Sequence, residues 1–517
     1  MILSLLMVTA RNAVIEIEDG GIYYTNRSYR IEVNGEYRRT ANRVITSVPD
    51  LKPDTEYMIA AINDAGERFA LKIRTRYEFV TLNVRAFGAK GDGIQDDTLF
   101  IQAAIMACPK EGRVLVPRGN YQITSLFLKS NLNLELAEGA VLQANTDRNS
   151  FPKLPGLIES YNEKEEYNLG TWEGNPLTMY SGIITGIGAE NVLLYGQGTI
   201  DGRAQLSDWW VNAKQMRGAF RPRLLYLNHC KNVTVQGLKF TNSPAWNIHP
   251  YFSRDLTFVD LTVENPQDSP NTDGLDPESC KNVLIAGSHF SLGDDCIAIK
   301  SGKIYMGSKY KTPCENITIR QCFMENGHGA VTIGSEMAGG VNSVTVQDCI
   351  FRDTDRGLRI KTRRGRGKDA VINKISFEHI RMEDVLTPLV INSFYFCDPD
   401  GKTQYVQTRE PLPVDERTPE IKSLTFQDID CKNCHVAAAY FLGLPEKKIE
   451  EISLKNCAFR FADEAKSDVP DMTGGLEPCS KTGIFASNVK KLILENVTVE
   501  GQEGESFLLE NIERIVR

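Results

Sequence analysis

A chain of 517 residues with 41% hydrophobic and 24% charged residues has room for several domains, or for one long repeat plus a small domain. Its net charge of -8 argues against a general nucleic-acid binder, and no apolar run reaches the length of a membrane span. An acidic protein that handles a polyanion must concentrate cations locally, and its longest basic run is Lys361–Lys368.

The first ten residues are apolar but lack a basic start, and strand-like residues follow from Val14, so they read as structure rather than as a signal peptide. The 12 cysteines include one lone pair at CxxC spacing, Cys431 and Cys434, which is a weak zinc signal. Cys230, Cys280 and Cys314 stand at equivalent repeat positions and predict stacked, inert thiols. This usage points to a reducing compartment and a cytoplasmic protein.

Residues 1–77 form a separate unit. Alternating runs such as Tyr29–Val33 and Tyr57–Ile62, broken by Asn34-Gly35 and Asp64-Ala65-Gly66, predict an antiparallel sandwich. Leu51–Tyr57 resembles the tyrosine-corner segment of fibronectin type III domains, in which a Tyr hydroxyl reaches back to upstream backbone. Next, Asp96, Asp97 and Thr98 are good N-cap residues before an apolar helical spacing, which predicts a helix closing the end of a sheet stack.

From Val114 onward short period-two strands recur: Asn131–Leu136, Asn191–Tyr195, Asn232–Gln236, Asn282–Ala286, Asn316–Arg320, Ser343–Gln347, Lys374–Glu378, Ser423–Gln427 and later ones. Helical patterns are nearly absent after Cys108. Strands at a repeating interval without helices between them exclude a doubly wound fold. They predict an all-β chain whose residues 78–517 form a right-handed parallel β-helix. Asn191, Asn232, Asn282 and Asn316 predict a ladder at one bend, bonded to backbone.

Four short motifs lie on this background: Asn271-Thr272-Asp273-Gly274, Gly293-Asp294-Asp295, Gly327-His328-Gly329 and Arg359-Ile360-Lys361. Their intervals of roughly 20 to 35 residues match one turn of a solenoid, so stacked turns place them side by side. Cleavage of a glycosidic bond needs one protonated carboxylic acid and one ionised carboxylate. Asp273, Asp294 and Asp295 offer three candidates, and Gly293 suits the bend that lets both members of the Asp pair reach a cleft. The glycines beside His328 leave it exposed. Arg359 and Lys361 alternate on one strand and share a face, an arrangement suited to a uronate carboxylate.

The motifs in this order resemble glycoside hydrolase family 28, the polygalacturonases, from about Phe79 to the C-terminal end. That resemblance implies an inverting hydrolysis of α-1,4-linked galacturonate without metal or organic cofactor. It makes Asp294 the general acid, has Asp273 and Asp295 activate water, has His328 assist, and has Arg359 and Lys361 hold the carboxylate. Tyr395, after Leu389–Phe394, matches the family's active-site Tyr. Inversion predicts carboxyl groups roughly 6.5–9.5 Å apart. Trp246 and His249, one turn before Asp273, are candidate sugar contacts. Long insertions at 151–180 (with Tyr161, Tyr167 and Trp172), 300–313 and 396–418, together with the N-terminal unit, resemble exo-acting members. An endo-acting enzyme, a hydrolase of rhamnogalacturonan or xylogalacturonan, a calcium-dependent pectate lyase and a glycan-binding solenoid are the alternatives.

Overall fold

In the computed structural model, which describes residues 2–159 and 166–517, two architectures follow one another. Residues 2–74 make two antiparallel sheets, one of three strands and one of four. Alternation sends Ile15, Ile17, Ile31, Val33, Ile59 and Ile73 into a shared core. The Lys52 amide donates to the Tyr57 hydroxyl at 2.9 Å, which closes the corner beside Pro53.

The first strand of the parallel stack is Thr81–Asn83. Helix Thr98–Ala107 buries Ile101, Ala104 and Ile105 over the open end. Asp97 precedes that helix but does not cap it; its carboxylate accepts from the amides of Lys90 and Gly91, both at 2.9 Å, and so fixes the loop.

Beyond the helix the chain winds as a right-handed parallel β-helix, each strand pairing in parallel with its counterpart one coil later. One column runs through Leu256–Val259, Val283–Ala286, Ile317–Arg320 and Val344–Gln347. The column that matters for chemistry runs through Ile248–Tyr251, the bridges at Leu275 and Glu278, then Ile297–Ile299, Val331–Gly334, Arg356–Lys361 and Thr387–Asn392. Its inward residues, such as Ile297, Ile299, Val331, Ile333, Leu358 and Ile360, have no exposed surface.

The Asn ladder exists, with a different bonding pattern from the one expected. The side chains bond to one another: Asn232 Nδ2 to Asn191 Oδ1 at 2.7 Å, and Asn316 Nδ2 to Asn282 Oδ1 at 3.1 Å. Asp255 takes the rung below Asn282. All four Asn have φ between 52° and 58°, the left-handed region that Asn tolerates best after Gly. Cys230, Cys280 and Cys314 are buried, and burial pushes their thiols up. Cys431 and Cys434 join no metal-ligating group among the described residues.

The N-terminal sheets dock on the flank of the β-helix. Val14, Val44 and Ile45 pack against Val259 and Ala286. Asn12 and Ser47 bond to Gln236, Arg43 pairs with Asp260 at 2.8 Å, and Glu16 pairs with Arg320 at 2.6 Å.

Candidate active site

Asp273, Asp294 and Asp295 each contribute a carboxylate oxygen to one cluster, all within 4.8 Å of one another. The cause is the fold. Leu275, Ile297 and Val331 pair across successive coils, so the residues two places earlier align as well, and neighbouring strands lie about 4.8 Å apart. The wider separation expected above is therefore not what the coil spacing delivers.

Each glycine of the motifs permits a close approach. A Cβ on Gly293 would lie 2.6 Å from the carbonyl oxygen of Gln267. One on Gly327 would meet the Asp294 carbonyl at 2.7 Å, and one on Gly329 would meet Asp295 Oδ1 at 2.9 Å. The glycines beside His328 thus bring its coil down onto the aspartates. His328 itself is half exposed, with Nδ1 3.4 Å from Asp294 Oδ1. The Asp295 amide donates to Asp294 Oδ1 at 2.9 Å and orients that carboxylate towards the cleft.

The two members of the Asp pair are electrostatically unlike. Burial opposes ionisation of Asp295, but Lys361 and Arg359 outweigh it and hold its pKa well below the usual range. Lys361 Nζ donates to Asp295 Oδ2 at 2.7 Å, and Arg359 Nη1 stands 3.6 Å from Oδ1. Asp273 is pushed the other way by burial and by the charges of Asp294 and Asp276, with Lys300 opposing. A proton in the empty cluster therefore avoids Asp295. His328 is raised by its interaction with Asp294, against the effect of burial. The three aspartates could chelate a cation by geometry, but Lys361, Arg359 and Lys300 already neutralise two of them. Tyr395 is nearly buried, its ring 6.0 Å from the Arg359 guanidinium and 5.6 Å from Lys361 Nζ.

Two expected sugar contacts are roofed over. His249 has no exposed surface; it aligns with Asp276 rather than Asp273 and bonds to Glu278 at 2.9 Å. Burial, Arg223 and Lys300 keep its imidazole neutral. Trp246 is 4% exposed and stacks on Trp172 at 6.4 Å. Trp172 of the 151–180 insertion covers Trp246, a contact sequence periodicity could not place, and His249 packs against Trp246, Tyr226 and Tyr251. Of the three aromatics of that insertion named above, Tyr161 lies outside the described residues, Tyr167 is exposed and Trp172 is buried.

Other site residues escaped the sequence reading. Lys300 Nζ lies 3.6 Å from Asp273, 3.5 Å from Asp276 and 3.4 Å from Glu336, over the Trp246 ring at 4.2 Å. The signal was present, because Ile299 points inward and strand alternation turns Lys300 outward, as it does Lys361. Asp276 is fully buried; burial raises its pKa to about 7 against the pull of Lys300. Arg221 anchors the Asn271–Gly274 turn, donating to the carbonyls of Pro244 and Pro270 and to Asn271 Oδ1. Asp471 accepts two bonds from Arg359, at 3.0 and 3.1 Å, and one from Asn392.

Residues 114–473 match the model of the glycosyl hydrolases family 28. The chain belongs to that family. A probable polygalacturonase of Vitis vinifera is 30% identical over 428 residues, covering 80% of this chain and 82% of its own. An endo-polygalacturonase of Pectobacterium carotovorum subsp. carotovorum is 31% identical over 378 residues, covering 69% of this chain and 83% of its own. The structure of a family 28 exopolygalacturonase from Yersinia enterocolitica superposes with a TM-score of 0.73 at 18% identity, covering 99% and 98% of the two chains, which establishes the shared fold. The family 28 assignment makes this chain a glycoside hydrolase, with the aspartate cluster its candidate catalytic centre.

Proposed function

We propose that this family 28 enzyme hydrolyses α-1,4-galacturonosyl linkages and releases galacturonate from the non-reducing end of pectin-derived chains. The observation that carries the substrate class is the pair Arg359 and Lys361, two fixed cations held beside the aspartate cluster through Asp295. They suit the carboxylate of a uronate bound at the cleaved position. Asp294, the most exposed of the three aspartates, donates its proton to the glycosidic oxygen as the C1–O bond breaks. Asp295 and Asp273 hold a water whose oxygen bonds to C1 and whose proton passes to a carboxylate. Asp273 and Asp295 lie beside one another, which suits a shared water; inversion is taken from the family 28 resemblance, since the aspartate oxygens lie closer together than a wide inverting separation.

Exo action is supported by the turn Trp172–Asn175. Trp172 stacks on Phe220 at 4.9 Å and on Trp246. The Gly174 carbonyl accepts from the Lys303 amide at 2.9 Å, so the two insertions meet. On this reading the two insertions wall the groove before Asp273, so that a chain end fits rather than a passing chain. The 12 unbridged cysteines support residence in a reducing cytoplasm, checked by cell fractionation.

The test is product analysis on de-esterified polygalacturonate, with and without chelator, following reducing ends, ultraviolet absorbance and the anomer first released. Saturated monomer of inverted configuration, unaffected by chelator, is expected. Early mixed oligomers overturn the exo assignment, and unsaturated calcium-dependent products overturn hydrolysis. Trp172→Ala, which opens the blocked end, should add dimers and trimers to the early products.

A further inference from the structure

Next to Tyr395, between the loop that follows it and the loop that follows Asp471, lies an open pocket of about 760 Å³. Its walls extend the segments that hold Arg359. On one side Phe396 follows Tyr395. On the other Thr473, Gly474 and Gly475 follow Asp471, the carboxylate bonded to Arg359. Gln407 ties the walls together: its Nε2 donates to the carbonyls of Phe394 and Gly401 at 2.7 Å, and its Oε1 accepts from the Gly474 amide at 2.8 Å. The pocket is therefore built rather than a gap between loose loops.

Two cations line it, Lys402 and Arg409. Arg409 lies 3.9 Å over the Phe394 ring, and its Nη2 donates to Thr473 Oγ1 and the Gly474 carbonyl, both at 3.1 Å. Lys402 stands 5.0 Å over the half-buried Phe396 ring. Among the described residues no carboxylate lies within 4.0 Å of either cation. The contrast with their neighbours is sharp. Arg363 pairs with Asp398 and Asp400, Arg364 with Glu446, and Arg366 with Asp398.

We infer that this pocket is a further subsite, in which Lys402 and Arg409 take the carboxylate of a galacturonate unit lying beyond the one gripped by Arg359 and Lys361, with its ring against Phe396. The inference rests on the galacturonan reading above. The insertion at Trp172 stops the chain on the near side of Asp273, so the remaining units run towards this pocket, on the reducing-end side. A carboxylate supplies the charge the two cations lack, and an aromatic face beside a cation suits a sugar ring with a charged edge.

The experiment compares the wild-type enzyme with Lys402→Met, Arg409→Gln and the double variant on linear galacturonate oligomers of increasing length. In each protein, kcat/KM for a longer oligomer is divided by that protein's own digalacturonate value, so a general loss of folding cancels. The wild-type ratio should climb by roughly tenfold at one length, the order expected of two exposed charge contacts, and shrink with added salt. The double variant should lose the climb and its salt dependence. Lys402 is exposed, so its replacement also tests the site without disturbing the Phe394 packing. Digalacturonate cleavage with an undiminished climb in the variants overturns the subsite and leaves the function standing, as does a flat wild-type ratio. Hydrolysis of no oligomer by the wild-type enzyme overturns both.

Discussion

Replacing Lys361 by Met removes the ammonium 2.7 Å from Asp295 Oδ2 and keeps most of the side-chain volume. Both residues are buried, at 7% and 1% exposure, so solvent does little to screen the pair. Asp295 has a depressed folded pKa, so its ionised form stabilises the fold above the unfolded value of about 3.9. That contribution is lost as pH falls through the folded pKa. A neighbouring cation typically lowers a carboxylate by about 1–3 units. Without Lys361 the folded pKa of Asp295 therefore rises by a similar amount, back towards the ordinary carboxylate range. At about 1.4 kcal/mol per unit, the fold loses about 1.4–4 kcal/mol at pH 7. The same rise moves the acidic limb of the kcat/KM profile up by roughly 1–3 pH units, because that limb reports the base of the free enzyme. The height of the profile also falls if Lys361 takes the substrate carboxylate as proposed, so the diagnostic quantity is the limb's position. The assay is kcat/KM for trigalacturonate from pH 3 to 8, beside thermal unfolding over the same range. A lower profile with its acidic limb unmoved would refute the assignment of Asp295 as the base that Lys361 keeps ionised.

Asp294→Asn should lower kcat by roughly 10²–10⁴, because it removes the proposed general acid, with an unfolding midpoint unchanged at pH 8.5, where the His328 pairing is lost, and lowered only at pH 5.5, where it is present. His328 has a raised pKa, so its pairing with Asp294 stabilises the fold fully below about 6.5 and is lost as pH rises through the folded value. His328→Gln should flatten that part of the stability profile, read by unfolding midpoints at pH 5.5 and 8.5. Gly329→Ala forces a Cβ to within 2.9 Å of Asp295 Oδ1 and should cost about 1–3 kcal/mol of stability, with kcat falling more than KM rises.

Residues whose roles depend on the repeat were legible. Leu275, Ile297, Val331 and Leu358 carry the period of the solenoid, so Asp273, Asp295, His328 and Arg359 could be placed on one face from spacing alone. What spacing could not supply was anything that leaves the repeat. Trp172 reaches back from the 151–180 insertion onto Trp246, which in turn packs on His249, so both are buried although they stand one turn before Asp273. Asp471 holds Arg359 from 112 residues away on a loop with no pattern of its own. Lys300 obeys the same alternation as Lys361 but belongs to no short motif that would mark it. The glycines around His328 stand out in the sequence, but their purpose, close approach to Asp294 and Asp295 on the neighbouring coil, shows only in three dimensions.

The docking of the N-terminal sheets has a mechanical meaning. A solenoid is held together chiefly by contacts between adjacent turns, so any two turns can part at modest cost. Gln236, Asp260, Ala286 and Arg320 belong to four consecutive turns, and all four touch the N-terminal sheets. Those same turns carry Trp246, Asp273, Asp294 and His328. The flanking sheets act as a splint laid across the break lines of the catalytic segment: opening between any two of its turns must also strip part of a second, independent surface.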